Sequence, residues 1–521
     1  MTLALALVAD LLLLVGVSCQ LLRWWRVLQR EHYIASSLLA TWWRWLVPGA
    51  SCVVGATLRP TTRVRVAIPA GAVAMVAALL ASVAWGSMGL AVAGVTLVVF
   101  PWGLSIRGRT SRLAFTRRMT TVAIVSVVIV VFVLALSLVV RAAWLAILVA
   151  SLVPLWVALA TVALAPLEER SAQRFVDAAS TRLRRVRPRV IAITGSFGKT
   201  STKNHLATLL GGVSGVVATP RSFNNRAGLS RSINENMSDD TRIFIAEMGT
   251  YGPGEIAALC EWCPPEISVI TAIGEVHLER MGSLDNIERA KREITTSAST
   301  VVLNGDDARL AGWVAPLRAQ GKTVITAGTT PSCDVSVVSH GDEWVISEAG
   351  ELVAVLPAIR SIHPTNVACA LAAGVAVGVA ITDLASRVSD IAPVANRAVV
   401  ATAASGVMVI DDTFNANPVS AQASLDTLMN LPLSGRRVVV TPGLVEMGSR
   451  RISANEQFAR AVSDAGAELI VVGRSNARAL VRGSRGARRA RRRDDAVAWV
   501  RANLGPGDGV LYLNDLPDHY S

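Results

Sequence analysis

A glycine-rich turn lies between a strand pattern and a helix pattern, and it limits the possible folds of this chain more than any other feature. Residues 190–203 read VIAITGSFGKTSTK, which is a β-branched apolar run followed by G-S-F-G-K-T and a helix start. Gly195 and Gly198 allow consecutive backbone N–H groups to face an anion at a helix N-terminus, where the helix dipole also favours negative charge. The order strand, turn, helix predicts a phosphate-binding loop in an α/β domain.

The residues of this loop suggest a role for each position. We expect the backbone of Gly195, Ser196 and Gly198 to surround the phosphates, the Lys199 ammonium to contact the β- and γ-phosphates, and the Thr200 hydroxyl to bind Mg²⁺. The usual pattern is G-x-x-x-x-G-K-[ST], whereas this loop has only Ser196 and Phe197 between its glycines. A chance glycine-rich turn is therefore the alternative interpretation.

Lysine is rare in this chain. Of 51 basic side chains only four are lysines, at positions 199, 203, 291 and 322, and arginine occupies the other cationic positions. A lysine retained in such a chain can act as a compact point charge or as a nucleophilic amine, which a guanidinium cannot do. We therefore predict that Lys291→Arg abolishes activity, whereas Lys203→Arg and Lys322→Arg are tolerated.

The first third of the chain is strongly apolar. Hydrophobic residues make up 52% of the sequence, and their excess lies before residue 170. Apolar runs long enough to span a bilayer occur at 3–22, 66–85, 87–106, 119–140 and 142–166. The sequence therefore predicts a transmembrane domain of about five helices over residues 1–170.

Arginines flank these runs asymmetrically and predict their orientation. They fill the first connection (residues 23–65) and the third (residues 107–118), whereas the second carries no charge and the fourth only Arg141. The positive-inside rule then places the N-terminus outside and the residues after about 167 in the cytoplasm. We expect a multi-pass protein of the plasma membrane, with cytoplasmic arginines meeting anionic lipid headgroups and explaining much of the net charge of +13.

The remaining residues alternate apolar strands with helical stretches, which is typical of parallel α/β layers. The predicted strands are 190–194, 243–246, 267–272, 300–303, 407–411, 437–441, 468–472 and 509–513. Segment 323–357 is interpreted as a small β-rich insert, and a helix is predicted at about 364–379. The predicted fold is thus an N-terminal α-helical transmembrane domain (1–170), an α/β P-loop central domain (175–395) and an α/β Rossmann-like C-terminal domain (398–521).

Three further residues carry chemistry in this pattern. Glu247 ends the strand IFIAE beside the loop, which is where a carboxylate ligand of nucleotide-bound Mg²⁺ is expected. The alternative is an ordinary surface glutamate. His277 follows the next strand and is either a structural histidine or a metal ligand. Lys291 lies in the helical pattern IERAKREI, and from its neighbours alone a solvated helix face is the favoured interpretation.

Seven blocks of sequence occur in order after residue 190: GSFGKTS, RSFNNRAGLS (221–230), AEMGTYGPGEI (246–256), ITAIGEVHLERMGSLDNIERAKREI (270–294), LNGDD (303–307), TNVACALAA (365–373) and DDTFNANPVSAQASLDTL (411–428). Together they resemble the Mur ligase family, and within it the ligases that add D-alanyl-D-alanine to a UDP-N-acetylmuramoyl-tripeptide. The resemblance implies an ATP-dependent ligase that joins a carboxylate to an amine through an acyl-phosphate. It also implies three domains that close around the site.

The resemblance assigns roles to individual positions. It implies that Ser201 helps Lys199 and Thr200 at the phosphates and the first Mg²⁺, and that Glu247, His277 and Lys291 serve two Mg²⁺ ions, with Lys291 carbamoylated. The catalytic residues so implied are Lys199, His277 and Lys291. Nucleotide contacts away from the loop are Asn366 at the adenine and Arg397 and Asp412 at phosphate and ribose; substrate contacts are Asn224, Asn225, Asn415 and Asn417.

The chain departs from the pattern of the family in features that bear on the substrate. Membrane spans stand in place of a soluble uridine-binding domain, and Cys369 stands where a second asparagine is usual. We therefore expect a lipid-linked or envelope-polymer carboxylate acceptor, with an amino acid or dipeptide as amine donor, in cell-envelope or peptidoglycan precursor biosynthesis. The alternatives are a membrane amino-acid polymerase resembling poly-γ-glutamate synthases and a membrane transport or nucleotide-gated ATPase.

Residues 474–493 form a basic tract with GSRGARRARRR as its centre. The simpler interpretation is a solvated basic loop near anionic lipid. The alternative is a site for a polyanionic substrate or nucleic acid, but no aromatic residues alternate with the arginines, so nucleic acid is not expected.

Overall fold

The computed structural model describes residues 3–31, 33–46, 75–82, 87–101, 104, 106, 113–140, 142–276, 278–359, 362–392, 399–413 and 417–514. Contacts divide these residues into two compact units, 1–171 and 172–514. The first unit is helical, and the second contains two β-sheets. Each unit is described by itself below.

The described part of the first unit consists of apolar helices. Their bounds are α1 Leu3–Arg30, α2 Ala35–Leu46, α3 75–82, α4 Ser87–Val99, α5 Arg117–Val139, α6 Ala143–Ser151 and α7 Val153–Val186. Two stretches are long and apolar enough to cross a membrane, Ala4–Arg30 and Arg117–Ser137, and a third is possible if α6 and α7, which meet at a bend of 64°, count as one. The expected spans at 3–22 and 119–140 therefore coincide with long apolar helices, and much of the one at 66–85 lies outside the described residues.

The expected spans at 87–106 and 142–166 are wrong in their bounds. Helix α4 has 13 residues, which is too short to cross a bilayer unaided, and it ends two residues before Pro101, whose ring and missing N–H prevent a helix from continuing. The second stretch breaks between α6 and α7, and α7 then continues to Val186 because its polar half contains mostly good helix formers.

A buried arginine closes the C-terminal end of α4. Arg23 on α1 is 6% exposed, and its guanidinium donates hydrogen bonds to the carbonyl oxygens of Leu97, Val98, Phe100 and Leu104. Gln20, one turn earlier, donates to the Leu97 carbonyl at 2.7 Å. The last carbonyls of a helix have no partner within it, so α1 supplies the hydrogen bonds that the end of α4 lacks.

The first sheet of the second unit is the framework of the central domain. Among the described residues it has nine strands in the order β2-β3-β1-β4-β5-β6-β7-β8-β9. Their bounds are β1 Arg189–Thr194, β2 Val216–Ala218, β3 Ile243–Glu247, β4 Ile267–Ile270, β5 Thr300–Asn304, β6 Thr323–Gly328, β7 Val335–His340, β8 Glu343–Glu348 and β9 Glu351–Pro357. Strands β2 to β7 pair in parallel, and β8 and β9 extend the sheet antiparallel. Segment 323–357 is thus the continuation of the main sheet, not a separate insert.

Helices cover both faces of this sheet because its central strands are apolar along their whole length. Their bounds are α8 Lys199–Leu209, α9 Arg226–Asn236, α10 Glu255–Trp262, α11 Leu278–Met281, α12 Leu284–Arg292, α13 Ala308–Ala311, α14 Val314–Ala319, α15 Pro364–Ala376 and α16 Ile381–Ala385. One core contains α8 and α15; the other contains α9, α10 and the end of α7, through Ala179 and Leu183.

The order of the strands fixes where a ligand can bind. Strand β1 lies between β3 and β4, so the connections after β1 and β4 leave the sheet in opposite directions. In open α/β sheets such a reversal opens a crevice at the carboxyl ends of the strands, where ligands bind. Residues 195–198, Glu247 and residues 271–276 all follow these ends.

The second sheet belongs to the C-terminal domain. Among the described residues it has the order β10-β11-β15-β12-β13-β14, with β10 antiparallel and the others parallel. The strands are β10 Val399–Thr402, β11 Met408–Asp412, β12 Arg437–Thr441, β13 Glu468–Val472, β14 Ala487–Ala490 and β15 Gly509–Leu513; the helices are α17 Pro418–Asn430, α18 Arg451–Asp464, α19 Ala477–Gly483 and α20 Arg493–Asn503. The basic tract therefore lies in α19, β14 and the start of α20, and the expectation of a loop is wrong.

Helices α11 and α12 connect the central domain to the C-terminal one. Leu278, Met281, Ile287 and Ala290 are buried in one cluster with residues of α17, α18 and the second sheet. At the same boundary the Arg450 guanidinium forms an ion pair with the Glu275 carboxylate. The two domains of the second unit thus share a hydrophobic core along α12.

The capping role of Arg23 gives a testable expectation for the first unit. In Arg23→Met the carbonyl oxygens at the end of α4 lose a charged donor, and each buried acceptor left without a partner costs about 1–3 kcal/mol. We expect thermal unfolding of the detergent-solubilised protein, measured by scanning fluorimetry, to shift down by several degrees. Arg117→Met, at an exposed position of the same unit, is the matched control, and an equal shift for both variants would contradict the capping role.

Candidate active site

The glycine-rich loop after β1 is held in place by the exit of β4. The Ser196 backbone N–H donates to the Ala272 carbonyl at 2.8 Å, and the Ser196 hydroxyl donates to the Gly274 carbonyl at 2.9 Å. The Thr271 hydroxyl donates to the Phe197 carbonyl. These bonds fix the loop without using the N–H groups of the first turn of α8, which remain available for an anion.

The start of α8 carries the charged and hydroxyl groups expected of a phosphate site. Gly198 is the N-cap of α8 and has φ +82°, a left-handed conformation that favours glycine. The Lys199 ammonium donates to the Gly195 carbonyl at 2.7 Å, so it folds back over the loop. Thr200 is buried, with its hydroxyl oxygen 3.5 Å from the Ser222 hydroxyl, and Ser201 is half-buried.

Asn366 lies against this loop. It follows the start of α15, and its amide oxygen is so close to Gly198 that a Cβ at that glycine would overlap it. The Thr202 hydroxyl is 3.5 Å from the same oxygen. Asn366, the residue expected at the adenine, therefore contacts the phosphate loop.

Asp306 fixes the segment before α15. Its carboxylate accepts hydrogen bonds from the backbone and hydroxyl groups of Thr329 and Thr330 and from the Thr365 hydroxyl. Burial alone would raise the pKa of Asp306, but these hydrogen bonds outweigh it and lower the pKa. The carboxylate thus joins the connection after β5, the β6–β7 turn and the residue preceding Asn366.

Glu247 ends β3 in a closed environment. Its side chain is 1% exposed, and one carboxylate oxygen, Oε1, accepts a hydrogen bond of 3.0 Å from the Asn224 amide. The other oxygen, Oε2, is buried and receives no hydrogen bond in the described part of the chain. The Lys203 ammonium is 3.4 Å from Oε2.

An orphaned, buried carboxylate oxygen fits a hard divalent cation. Mg²⁺ prefers carboxylate, hydroxyl and phosphate oxygens, and Glu247 and Thr200 would supply the first two beside the phosphate loop. Within the described residues, which leave out His277, no cluster of three or more histidine, cysteine, aspartate or glutamate side chains could hold a metal alone.

Lys291 is buried near the end of α12 and is 3% exposed. Burial lowers its pKa well below the usual lysine value, and the positive charge of Lys199 lowers it further. A lowered pKa favours the neutral amine over the ammonium. The expected solvated face for Lys291 is wrong, because α12 places this lysine in the protein interior.

The remaining predicted residues fall into two groups. Asn225 and Asn417 act locally as helix N-caps, of α9 and α17, and their amide oxygens accept hydrogen bonds from backbone N–H groups. Asp412 ends β11, is buried and accepts a hydrogen bond of 2.6 Å from the Ser424 hydroxyl. The donors to Asp412 (Ser424) and to Asn417 (Val419 and Ser420) all belong to the C-terminal domain. His277, Arg397 and Asn415 lie outside the described residues.

Lys203 is the site residue that the reasoning from sequence missed. The prediction that Lys203→Arg is tolerated gave Lys203 no role in the site, yet Lys203 is 1% exposed and ion-paired with Glu247. The rarity of lysine was the signal that could have found it. By contrast, Lys322 is half-buried and donates to the carbonyls of Thr296 and Ala298.

Family and structural comparisons agree with this geometry. The family described as Mur ligase middle domain matches residues 193–374, and the one described as Mur ligase, glutamate ligase domain, matches residues 396–513. The chain belongs to the Mur ligase family. Members of this family are ATP-dependent acid–amino-acid ligases, so the enzyme class expected from the sequence is confirmed.

Two relatives illustrate the match in sequence. The UDP-N-acetylmuramoyl-tripeptide–D-alanyl-D-alanine ligase of Mycobacterium leprae is 32% identical over 363 residues, which cover 62% of this chain and 70% of that protein. The ligase of the same name from Bacillus subtilis is 30% identical over 280 residues, covering 53% of this chain and 60% of that protein. The expected resemblance to this branch of the family is confirmed.

Solved structures show the same fold. MurF from Acinetobacter baumannii superposes with a TM-score of 0.59 at 20% identity, over 66% of this chain and 77% of that one. MurF ligase from Thermotoga maritima, solved in complex with ADP, gives a TM-score of 0.58 at 24% identity, over 66% of this chain and 80% of that one. The second unit therefore contains Mur ligase middle and C-terminal domains with a MurF-like fold.

The conformation of Gly198 predicts a defect in nucleotide binding. Gly198→Ala would strain a left-handed residue and push the new methyl group into the Asn366 amide. We expect ADP affinity, measured by isothermal titration calorimetry, to fall at least about tenfold, which corresponds to about 1.4 kcal/mol. Gly321→Ala is the control, because Gly321 has φ +77° with open space around it. ADP binding equally impaired in both variants, or in neither, would refute the role of the loop.

Proposed function

We propose that this protein is a membrane-anchored, ATP-dependent ligase that forms an amide bond on a peptidoglycan precursor. One observation carries the proposal: the domain that holds the phosphate loop also buries a carboxylate, Glu247, and a lysine, Lys291, whose pKa is lowered by burial and by the charge of Lys199. A transport ATPase needs a phosphate site but does not require this combination. The relatives are named as ligases that add D-alanyl-D-alanine to a UDP-linked muramoyl tripeptide. These names support a peptidoglycan precursor as the substrate.

The surface of the first unit supports attachment to a membrane. Large apolar side chains are exposed along α1 and α5, where Leu11 is 61% exposed and Phe132 is 69% exposed. An exposed apolar surface of this length is typical of contact with lipid. Together with the two stretches long enough to span a bilayer, it supports a multi-pass protein of the plasma membrane with cytoplasmic catalytic domains.

The reaction that fits the site has two steps. An oxygen of the acceptor carboxylate attacks the γ-phosphorus of ATP, the bond to the bridging oxygen breaks, and ADP and an acyl-phosphate are formed. The amine donor then attacks the carbonyl carbon, the C–O bond to phosphate breaks, and an amide and inorganic phosphate result while the nitrogen loses a proton. In the first step an anion attacks an anion, so Lys199 and the N–H groups of α8 serve to neutralise charge.

Two Mg²⁺ ions would complete that neutralisation. Glu247 and Thr200 fit the first ion, and His277 with carbamoylated Lys291 is proposed for the second. Bound Mg²⁺ reduces the negative charge on the phosphate oxygens. Asn366 is proposed at the adenine, Arg397 and Asp412 at phosphate and ribose, and Asn224, Asn225, Asn415 and Asn417 at the substrate.

The environment of Lys291 favours carbamoylation. A carbamate forms when a neutral amine attacks CO₂, creating an N–C bond and releasing a proton, and burial lowers the pKa of Lys291, which favours the neutral amine. The product is an anion, which relieves the repulsion that the positive charge of Lys199 exerts on a protonated Lys291. Arginine at this position stays protonated and cannot react in this way.

We expect activity to depend on CO₂ and on Lys291 itself. Burial lowers the pKa of Lys291 and so favours the neutral amine that reacts with CO₂. Added bicarbonate is therefore expected to restore activity after CO₂ is removed, and acidification is expected to reduce activity as the carbamate decomposes. Lys291→Arg is expected to lose at least about 10³-fold in turnover, a loss of about 4 kcal/mol in transition-state stabilisation. Lys322→Arg serves as control.

Lys291→Ala provides an independent check on the carbamate. Short carboxylic acids can occupy the space left by the side chain and replace its anionic group, so acetate or propionate is expected to restore part of the turnover. No rescue of Lys291→Ala, combined with wild-type activity that is indifferent to CO₂, would exclude a carbamoylated lysine.

The identity of the acceptor is tested directly with the full chain in nanodiscs. We propose a membrane-held acceptor, so phosphate release should require both a lipid-linked muramoyl peptide and an amine donor, and mass spectrometry should show a single amide addition. Activity with a UDP-linked tripeptide in place of the lipid-linked acceptor would indicate the substrate named for the relatives. A ladder of added residues would indicate a polymerase, and ATP turnover without either substrate would indicate a transport ATPase.

A further inference from the structure

Lys203 and Glu247 form an ion pair that is almost closed to solvent. Lys203 lies on α8, one turn after Lys199, and each of the two paired side chains is 1% exposed. A carboxylate removed from water needs a compensating charge nearby, because an isolated buried ion is strongly destabilising. Lys203 supplies that charge to the residue proposed to bind the first Mg²⁺.

The contacts around the pair differ between the two carboxylate oxygens. Oε1 of Glu247 receives a hydrogen bond of 3.0 Å from the Asn224 amide. Oε2 lies 3.4 Å from the Lys203 ammonium and receives no hydrogen bond from the described residues. The ammonium is therefore near enough to balance the charge of Oε2 but leaves the lone pairs of this oxygen available to a cation.

A second contact fixes the ammonium itself. Lys203 Nζ donates a hydrogen bond to the backbone carbonyl of Arg221, a residue with φ +48° in the turn that also carries Asn224. The same lysine thus holds both the carboxylate and the turn that supplies the other partner of the carboxylate. The compact ammonium suits this position, where a planar guanidinium with five donors would need more space and more acceptors.

We propose that Lys203 is a positioning residue for Glu247, holding its carboxylate oriented so that Oε2 receives the nucleotide-bound Mg²⁺. This inference rests on the proposed function, because it requires a metal–nucleotide complex at the phosphate loop. It assigns no direct contact between Lys203 and the nucleotide. Lys203 therefore acts on the metal-dependent part of nucleotide binding.

The test compares ADP affinity with and without Mg²⁺ in the detergent-solubilised full chain, by isothermal titration calorimetry. In the wild type Mg²⁺ is expected to strengthen ADP binding. In Lys203→Met this strengthening is expected to fall about tenfold, as for the loss of one charge-assisted contact, while ADP affinity without metal stays unchanged. Lys203→Gln, which keeps a donor for the Arg221 carbonyl but no charge, is expected to show the same loss and replaces Lys203→Met if that variant does not fold.

A double-mutant cycle with Glu247→Gln separates positioning from general stabilisation. If Lys203 acts through Glu247, adding Lys203→Met to Glu247→Gln causes no further loss of the Mg²⁺ effect, because the two substitutions remove one shared interaction. Lys322→Met, as the matched control, leaves the Mg²⁺ effect unchanged.

Each other outcome overturns one part of the reasoning. An unchanged or increased Mg²⁺ effect in Lys203→Met, or fully additive losses in the cycle, would overturn the positioning role. A lowered unfolding midpoint accompanied by a wild-type Mg²⁺ effect would show that Lys203 only stabilises the fold. Absence of any Mg²⁺-dependent ADP binding in the wild type would instead contradict the proposed function.

Discussion

The site depends on a short set of hydrogen bonds between the exit of β4 and the turn after β1. The turn contains two glycines, and its shape is held by hydrogen bonds to the carbonyls of Ala272 and Gly274 and from the Thr271 hydroxyl. Because these bonds use the outer side of the turn, the first N–H groups of α8 are left for a ligand. The topology of the sheet, with β4 directly beside β1, makes this arrangement possible.

Buried charge is the second constraint. Three of the four lysines of the chain lie at this site: Lys199 over the loop, Lys203 against Glu247, and Lys291, whose pKa is lowered by burial. Such positions require either a small cation or a group that can lose its proton, and a guanidinium meets neither requirement. The composition of the chain favours arginine elsewhere, so the distribution of lysine follows the chemistry of the site.

Much of the framework could be predicted from sequence because parallel strands buried on both faces are uninterrupted apolar runs. Strands β12, β13 and β15 have the predicted bounds, and β1, β3, β5 and β11 differ by one residue. The pairing of β7 to β9 with the main sheet is a long-range choice that local pattern does not encode. The burial of Lys203 and Lys291 could not be predicted either, because charged helical residues are usually solvated and their burial is decided by tertiary packing.

Two of the spans predicted from hydropathy have other bounds in the structure, for local reasons. A hydropathy window does not register that Pro101 ends α4 or that α6 and α7 meet at a bend of 64°. The prediction of a loop for the basic tract is wrong because residues 487–490 pair in parallel with β13 as an edge strand, although arginine and glycine dominate the tract.

The sharing of α12 between two domains has a mechanical consequence. Ile287 and Ala290 belong to the hydrophobic core of the C-terminal domain, and Lys291 is the next residue of the same helix. A rigid helix transmits displacement along its whole length, so any reorientation of the C-terminal domain shifts the lysine as well. The position of Lys291 is therefore coupled mechanically to the docking of the C-terminal domain.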